Sequence, residues 1–287
     1  MKTLRFVILV IAILSGNDSF SQDRLALKLI FDKDEFLEAE PIPCGIELTN
    51  VSSVRLQVRQ PANQVGCEFR LFDDMGNEIK YTGIGYFAQG GKLHPLRPGE
   101  QMFVIEEIEQ LFGQHISLAT AHKTLKKGQY TLQVSYWSGG QDSAVVETRF
   151  RIVEPIGQEK KAYETFMRIM WDARGGGDIK TPEELVRQLE EFETNFPTSV
   201  YTPIVLVELA AKYEIRLGQK EKAWEVGMRF VRRFPDAVAG TGYLTTVTDM
   251  LGTKEEKRTF VRELVQKAKT PLGKRYLRDF AKKRGLE

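Results

Sequence analysis

The first half of the chain alternates apolar and polar residues in short runs. The segments 25–31 (LALKLIF) and 130–137 (YTLQVSYW) each place an apolar or aromatic side chain at every second position, on one face of an extended strand. Turn-forming sequences separate such runs, for example DDMGNE at 73–78 and SGGQDS at 138–143. About seven strands with this spacing predict an antiparallel β-sandwich over residues 22–154.

The hydrophobic period changes from 2 to 3.6 residues across Pro155 and Gly157, and helical patterns follow. In PEELVRQLEEFETNFP the apolar residues recur every three or four positions, and Thr181 with Pro182 forms a typical helix start. The pattern therefore predicts an α+β protein of two domains, in which an α-helical domain over residues 155–287 follows the sandwich. Its last three helices are expected near 238–251, 254–268 and 271–284.

A Phe-Pro pair ends two consecutive helical patterns, at Phe196 and again at Phe234, 38 residues later. The segment before the second pair carries a characteristic set of residues: Leu209, Ala210, Tyr213, Gly218, Ala223, Phe230 and Pro235. This set resembles the tetratricopeptide repeat, with Ala223 one residue late, so that this copy carries an insertion. The resemblance implies stacked helix pairs, with Gly218 in the turn and Pro235 at the end of the second helix. It also implies a concave helical face that holds a partner protein or peptide.

The segment KKGQYTLQV at 126–134 resembles the start of the sixth strand of immunoglobulin domains. This resemblance implies that Tyr130 forms a tyrosine corner, with its hydroxyl bonded to upstream backbone and Leu132 in place of the usual cysteine. The segments FLEAEPIPCGIELTN, LRPGEQ and LKKGQYTLQVSY are also similar to an immunoglobulin-like domain described as an intracellular proteinase inhibitor, which occurs in exported bacterial proteins too. These similarities imply an antiparallel immunoglobulin-like β-sandwich in the N-terminal half.

Residues 1–21 have the order of a secretory signal peptide. Basic Lys2 and Arg5 precede an apolar run from Phe6 to Leu14, and small polar residues follow. The run is shorter than the roughly 18 to 20 residues that a membrane-spanning helix needs. We therefore expect cleavage after Ser21 and an exported, periplasmic protein.

The chain contains two cysteines, Cys44 and Cys67, and the alternation places both on apolar strand faces. In an exported protein they can form a disulfide. They can equally remain free and pack as small apolar side chains. Because Leu132 occupies the cysteine position of the sixth strand, the immunoglobulin resemblance implies that a Cys44–Cys67 bridge would be nonstandard.

The net charge of +2 is unevenly distributed. Residues 253–287 contain twelve Lys and Arg against five Asp and Glu, a local net charge of +7. A nearly neutral chain that is exported is not expected to bind nucleic acid. The last predicted helix is either a solvated cap of the repeat stack or a docking surface for an acidic partner or for anionic lipid headgroups at a peripheral membrane contact. Its candidate partner-binding residues are Lys274, Arg275, Arg278, Lys282 and Lys283.

No residue pattern in the sequence indicates a catalytic, cofactor-binding or metal-binding site. The three histidines lie in loop-rich sequence without an HExxH or similar pattern, and the glycine-rich segment ARGGGDIKT lacks the Gly-Lys-Ser/Thr ending of a phosphate-binding loop. Tyr86, Phe87 and Trp137 are candidates for a stacking platform that binds sugar, or for anchors that hold loops against the sandwich edge.

The leading hypothesis is an exported, non-catalytic protein–protein interaction or scaffold protein of the bacterial cell envelope. Two other classes are open. One is a proteinase inhibitor that acts through a loop of the β domain, and the other is a hydrolase of envelope polymers.

Overall fold

A computed structural model describes residues 24–82, 92–112, 125–137, 143–172, 181–237 and 242–287. The predicted signal peptide lies outside these residues. The strands within them are β1 (Leu25–Ile30), β2 (Glu35–Leu37), β3 (Pro43–Asn50), β4 (Leu56–Val58), β5 (Cys67–Phe72), β6 (Glu78–Ile79), β7 (His94–Leu96), β8 (Gln101–Glu107), β9 (Gly128–Trp137) and β10 (Ser143–Val153). The helices are α1 (Ile108–Phe112), α2 (Gly157–Asp172), α3 (Pro182–Asn195), α4 (Thr202–Ala211), α5 (Lys220–Arg233), α6 (Tyr243–Met250), α7 (Lys254–Lys267) and α8 (Pro271–Lys283). The protein is therefore α+β, as the sequence predicts.

The strands form three sheets within the described residues. The three-stranded sheet has the order β1-β3-β8, the five-stranded sheet has the order β2-β10-β9-β5-β6, and β4 pairs with β7. The named strands pair in antiparallel fashion, except that β2 runs parallel to β10. Because β1 and β2 are consecutive but belong to different sheets, the chain passes from one large sheet to the other between them.

The two larger sheets share one hydrophobic core. Ile46 and Leu48 of β3 and Leu132 and Val134 of β9 are fully buried in it. The alternation predicted for β9 is confirmed, since its buried residues occur at every second position. At β1 only Leu25 is buried, because β1 is the outermost strand of its sheet.

Tyr130 is fixed at the start of β9. Its ring stacks on Phe150 with 5.6 Å between the ring centroids, and its hydroxyl donates to the carbonyl oxygen of Lys126 at 2.8 Å. The predicted hydrogen bond to upstream backbone is confirmed.

We expect Tyr130→Phe to lower the free energy of unfolding by about 1–2 kcal/mol, because the Lys126 carbonyl loses its donor inside the fold. Denaturant unfolding measures this loss. Tyr276→Phe is the matched control, since the hydroxyl of Tyr276 has no hydrogen-bond partner among the described residues, and it should be nearly neutral. Equal effects of the two changes would show that the hydrogen bond contributes nothing.

Helices α2 to α8 pack mainly against their neighbours in the chain. The predicted start of α3 is confirmed, because the side chain of Thr181 accepts a hydrogen bond from the backbone N–H of Glu184 at 3.2 Å. Helix α4 continues into a π-helical turn at Lys212–Arg216, and Gly218 then adopts a φ of +64° in the turn to α5. Helices α7 and α8 lie where the pattern predicts them, within one residue at each end.

Helix α8 packs on the outer face of the three-stranded sheet. The backbone N–H of Leu272 donates to Asp32 at 2.9 Å, and Arg275 forms an ion pair with Glu47 at 3.1 Å. The helix approaches so closely at Gly45 that an added Cβ would lie 2.6 Å from the Leu272 side chain. A residue without a side chain at this point of β3 is therefore part of the sheet–helix contact.

Candidate interaction sites

The basic residues of α8 divide into paired and unpaired groups. Arg275 contacts Glu47 and also donates to Gln101 at 2.9 Å, so it belongs to the contact between helix and sheet. Lys283 forms an ion pair with Asp279 at 2.7 Å on the same helix. Two of the five candidate residues, Arg275 and Lys283, therefore form contacts within the chain.

The other three candidates form a separate row. Lys274, Arg278 and Lys282 are spaced by four residues and therefore project from the same side of α8, one turn apart. The side chain of none of the three forms an ion pair or a hydrogen bond with any residue in the part of the chain that the structure describes. Arg278 and Lys282 are exposed, and Lys274 is half-buried. We refer to these three residues as the basic row.

Helix α4 carries a row of apolar side chains that the sequence reading did not identify as a surface. Ile204, Val207 and Ala211 are half-buried and lie on one side of the helix. Ile215, in the following π-helical turn, continues the row and is 73% exposed. The one indication in the sequence is the segment TPIVLVELAA, which is apolar on nearly every side. A helix with one solvated face normally has an apolar side and a polar side. We refer to these four residues as the apolar row.

The aromatic candidates are only partly within the described structure. Trp137 ends β9 and is 38% exposed, and Val145 of β10, diagonal to it across the strand pair, is 63% exposed. Both residues lie on the outer face of the five-stranded sheet. Tyr86 and Phe87 fall in the range 83–91, outside the described residues.

Both cysteines are free and buried in the structure. Cys44 lies on β3 and Cys67 on β5, in different sheets that face the same core. Burial raises the pKa of both thiols. The thiolate, which is the nucleophilic form, is therefore disfavoured at neutral pH, and the two side chains act in the core as small apolar groups.

The half-buried Glu107 at the end of β8 and the buried Glu109 in α1 are two neighbouring carboxyl side chains. Glu109 is buried and accepts a hydrogen bond from the backbone N–H of Leu125 at 2.9 Å, and Glu107 accepts one from the backbone N–H of Ile42. Burial raises the pKa of Glu109 to about 7. Burial, followed by the like charge of Glu109, raises the pKa of Glu107 to about 8. Since their acceptor atoms are occupied by backbone donors, these carboxyl groups link β8 and α1 to neighbouring loops.

The described residues also bear on two other features, a metal site and a membrane-spanning helix. Within the described ranges, no three His, Cys, Asp or Glu side chains come together as a metal-ion site would require. Among the same residues, no helix has the length and apolar character needed to span a bilayer.

Comparison with known proteins gives little similarity. No family model matches the chain, and no curated protein matches it. Among solved structures, the sporulation control protein Spo0M of Bacillus subtilis is 13% identical, with 52% of this chain and 56% of that chain covered and a TM-score of 0.29. A β-glucosidase of Listeria innocua is 17% identical, with 49% and 17% covered and a TM-score of 0.28. The Salmonella alpha-2-macroglobulin is 9% identical, with 88% and 25% covered and a TM-score of 0.27.

The chain therefore spans just over half of the Spo0M chain and a quarter or less of the other two. Similarity at this level indicates neither a shared fold nor a shared activity.

Proposed function

We propose that this chain is an exported, non-catalytic interaction or scaffold protein of the bacterial cell envelope. In this proposal, residues 22–154 form an immunoglobulin-like β-sandwich and residues 155–287 form a tetratricopeptide-like helical array that binds a partner protein or peptide. The apolar row on α4 is the observation that carries the proposal.

The strand order supports the immunoglobulin-like assignment. In immunoglobulin domains the first strand lies beside the second, and the sixth strand lies between the third and the seventh. Here β1 lies beside β3, and β9, which carries Tyr130, lies between β5 and β10. The hydrogen bond from Tyr130 to Lys126 matches the tyrosine corner of that sixth strand.

The π-helical turn supports the tetratricopeptide-like assignment. The repeat pattern has one extra residue between Tyr213 and Ala223, and a π-helical turn accommodates one additional residue within a helix. In this turn the backbone N–H of Leu217 donates to the carbonyl of Lys212, five residues earlier. Ala210 and Ala223 are both buried, as the close approach of α4 and α5 requires.

The apolar row supports binding rather than solvation. A solvated helix face is normally polar, and an exposed isoleucine next to half-buried apolar side chains is typical of a surface that another molecule covers. In this proposal α4 is the first helix of the pair that ends at Pro235, and its apolar row belongs to the concave face of the array. A partner helix or extended peptide with apolar side chains fits this row.

We expect Ile215→Arg to abolish retention of the partner while leaving the thermal midpoint unchanged, because the side chain is exposed and its replacement disturbs no packing. The measurement is affinity capture from solubilised cell envelopes, with the retained proteins quantified. Met75→Arg is the matched control, since Met75 is 79% exposed in a turn of the β part and lies far from α4 in the chain.

A protein that is retained by the wild type and by Met75→Arg, and lost with Ile215→Arg, supports the proposal. If the three proteins retain the same set, the apolar row is not a binding surface. Inhibition of a peptidase by the purified protein, or cleavage of murein, would instead favour the inhibitor or the hydrolase.

A further inference from the structure

The basic row faces away from the body of the protein. The buried Leu272, Gly273 and Phe280 lie on the side of the helix opposite Arg278, and Arg278 and Lys282 are exposed. The row extends over two turns, a length of about 12 Å. It therefore presents three cations in a line on an outward surface.

The three residues of the basic row have no acidic partner among the described residues, although other basic residues at α8 do. Lys283 pairs with Asp279, and Arg284 at the end of the helix contacts Asp249. Like charges four residues apart on a helix destabilise it. The row contains two such pairs, Lys274 with Arg278 and Arg278 with Lys282, and no acidic side chain among the described residues offsets them.

The residue types in the basic row favour a lipid surface over a protein as its binding partner. Protein interfaces are depleted in lysine and depend on aromatic or apolar anchors, and α8 has no exposed apolar residue between Lys274 and Lys282. Lysine and arginine clusters without apolar anchors are typical of contacts with anionic lipid headgroups, which form an extended surface of phosphates.

We propose that the basic row of Lys274, Arg278 and Lys282 docks this protein peripherally on a membrane surface that contains anionic lipid. The contact is electrostatic, with the helix lying on the headgroups and no side chain inserted between the acyl chains. It does not require the protein partner proposed above, because the basic row and the apolar row are on different helices.

The test is sedimentation of the purified protein with phospholipid vesicles at low salt. We expect binding to phosphatidylethanolamine vesicles that contain phosphatidylglycerol, and none to phosphatidylcholine vesicles. Reversal of the row in Lys274→Glu, Arg278→Glu and Lys282→Glu together should weaken binding about 100-fold, since each basic residue near such a surface contributes roughly fivefold. Salt near the physiological level should weaken the wild-type binding strongly, because exposed charges are then screened.

The matched control reverses three exposed cations of α2 whose side chains form no ion pair among the described residues, in Lys160→Glu, Lys161→Glu and Arg168→Glu together. This variant has the same net charge as the first and should retain binding within about fivefold, the effect of one basic residue at the surface. Circular dichroism and thermal unfolding establish that both variants are folded. The proposal is wrong if the wild type does not bind the anionic vesicles, or if the two variants lose binding equally, since net charge would then explain the effect. The proposal is also wrong if free glycerol phosphate competes for the protein as well as vesicles do at the same concentration of phosphate groups. The basic row would then bind single phosphates and not a membrane surface.

Discussion

Replacing Asp236 by alanine is expected to lower the free energy of unfolding by about 3 kcal/mol. The Asp236 carboxylate accepts hydrogen bonds from the backbone N–H groups of Lys269 and Thr270, each at 3.0 Å, and from the Thr270 hydroxyl at 2.9 Å. It thereby fixes the turn between α7 and α8 and the residue that caps α8. A hydrogen bond to a charged acceptor contributes about 1.5–3 kcal/mol to stability. The contributions of these bonds do not simply add, because all of them share one carboxylate. Denaturant unfolding at neutral pH measures the loss.

Asp249→Ala provides the control for this change. Asp249 is an exposed carboxylate whose partner is the Arg284 side chain, and an exposed ion pair contributes about 0–1 kcal/mol. We expect a loss of that size or less. A loss for Asp236→Ala no larger than the loss for Asp249→Ala would contradict the assigned role of Asp236.

Glu109→Gln is expected to raise the free energy of unfolding by up to about 3 kcal/mol above pH 8 and to leave it nearly unchanged near pH 4.5. Burial raises the pKa of Glu109 in the folded protein to about 7, whereas its ordinary value is 4.5. The folded state therefore holds the proton more tightly than the unfolded state. The associated stabilisation is fully present below pH 4.5 and is lost as the pH rises through about 7. Glutamine stays neutral and keeps the acceptor for the N–H of Leu125.

The measurement is denaturant unfolding between pH 4.5 and 9. The wild type should lose stability as the pH rises, and the Glu109→Gln variant should show a smaller slope, with Glu107 still contributing through its own pKa of about 8. Glu68→Gln, an exposed change on β5, should leave the slope unaltered. If the variant has the slope of the wild type, Glu109 is already ionised in the folded protein at neutral pH.

Some features of the fold follow from local pattern alone. The alternation in residues 130–137 predicts which side of β9 is buried, because adjacent side chains of a strand point to opposite faces. The π-helical turn at Lys212–Arg216 does not follow from local pattern in this way. It contacts α3 and α5, which come from other parts of the chain.

The candidate surfaces depend much less on local pattern. The apolar row on α4 cannot be predicted from its segment, because a helix that is apolar on nearly every side does not reveal which side its neighbours cover least. The local sequence around Asp236 does not indicate its role, because its hydrogen-bond partners lie 33 and 34 residues further along the chain.

The sequence by itself determined the order of strands and helices, the position of the change between them at Pro155, and the excess of basic residues in the last 35 positions. These features depend on side-chain periodicity, turn residues and composition, which act over a few neighbouring residues. Only the tertiary structure decided which cations at α8 pair with another element, because Arg275 contacts Glu47 on β3 and Arg284, directly after α8, contacts Asp249 on α6. A charged side chain forms an ion pair with an opposite charge that the fold places within about 4 Å. The sequence separation of two residues does not show whether the fold places them so close.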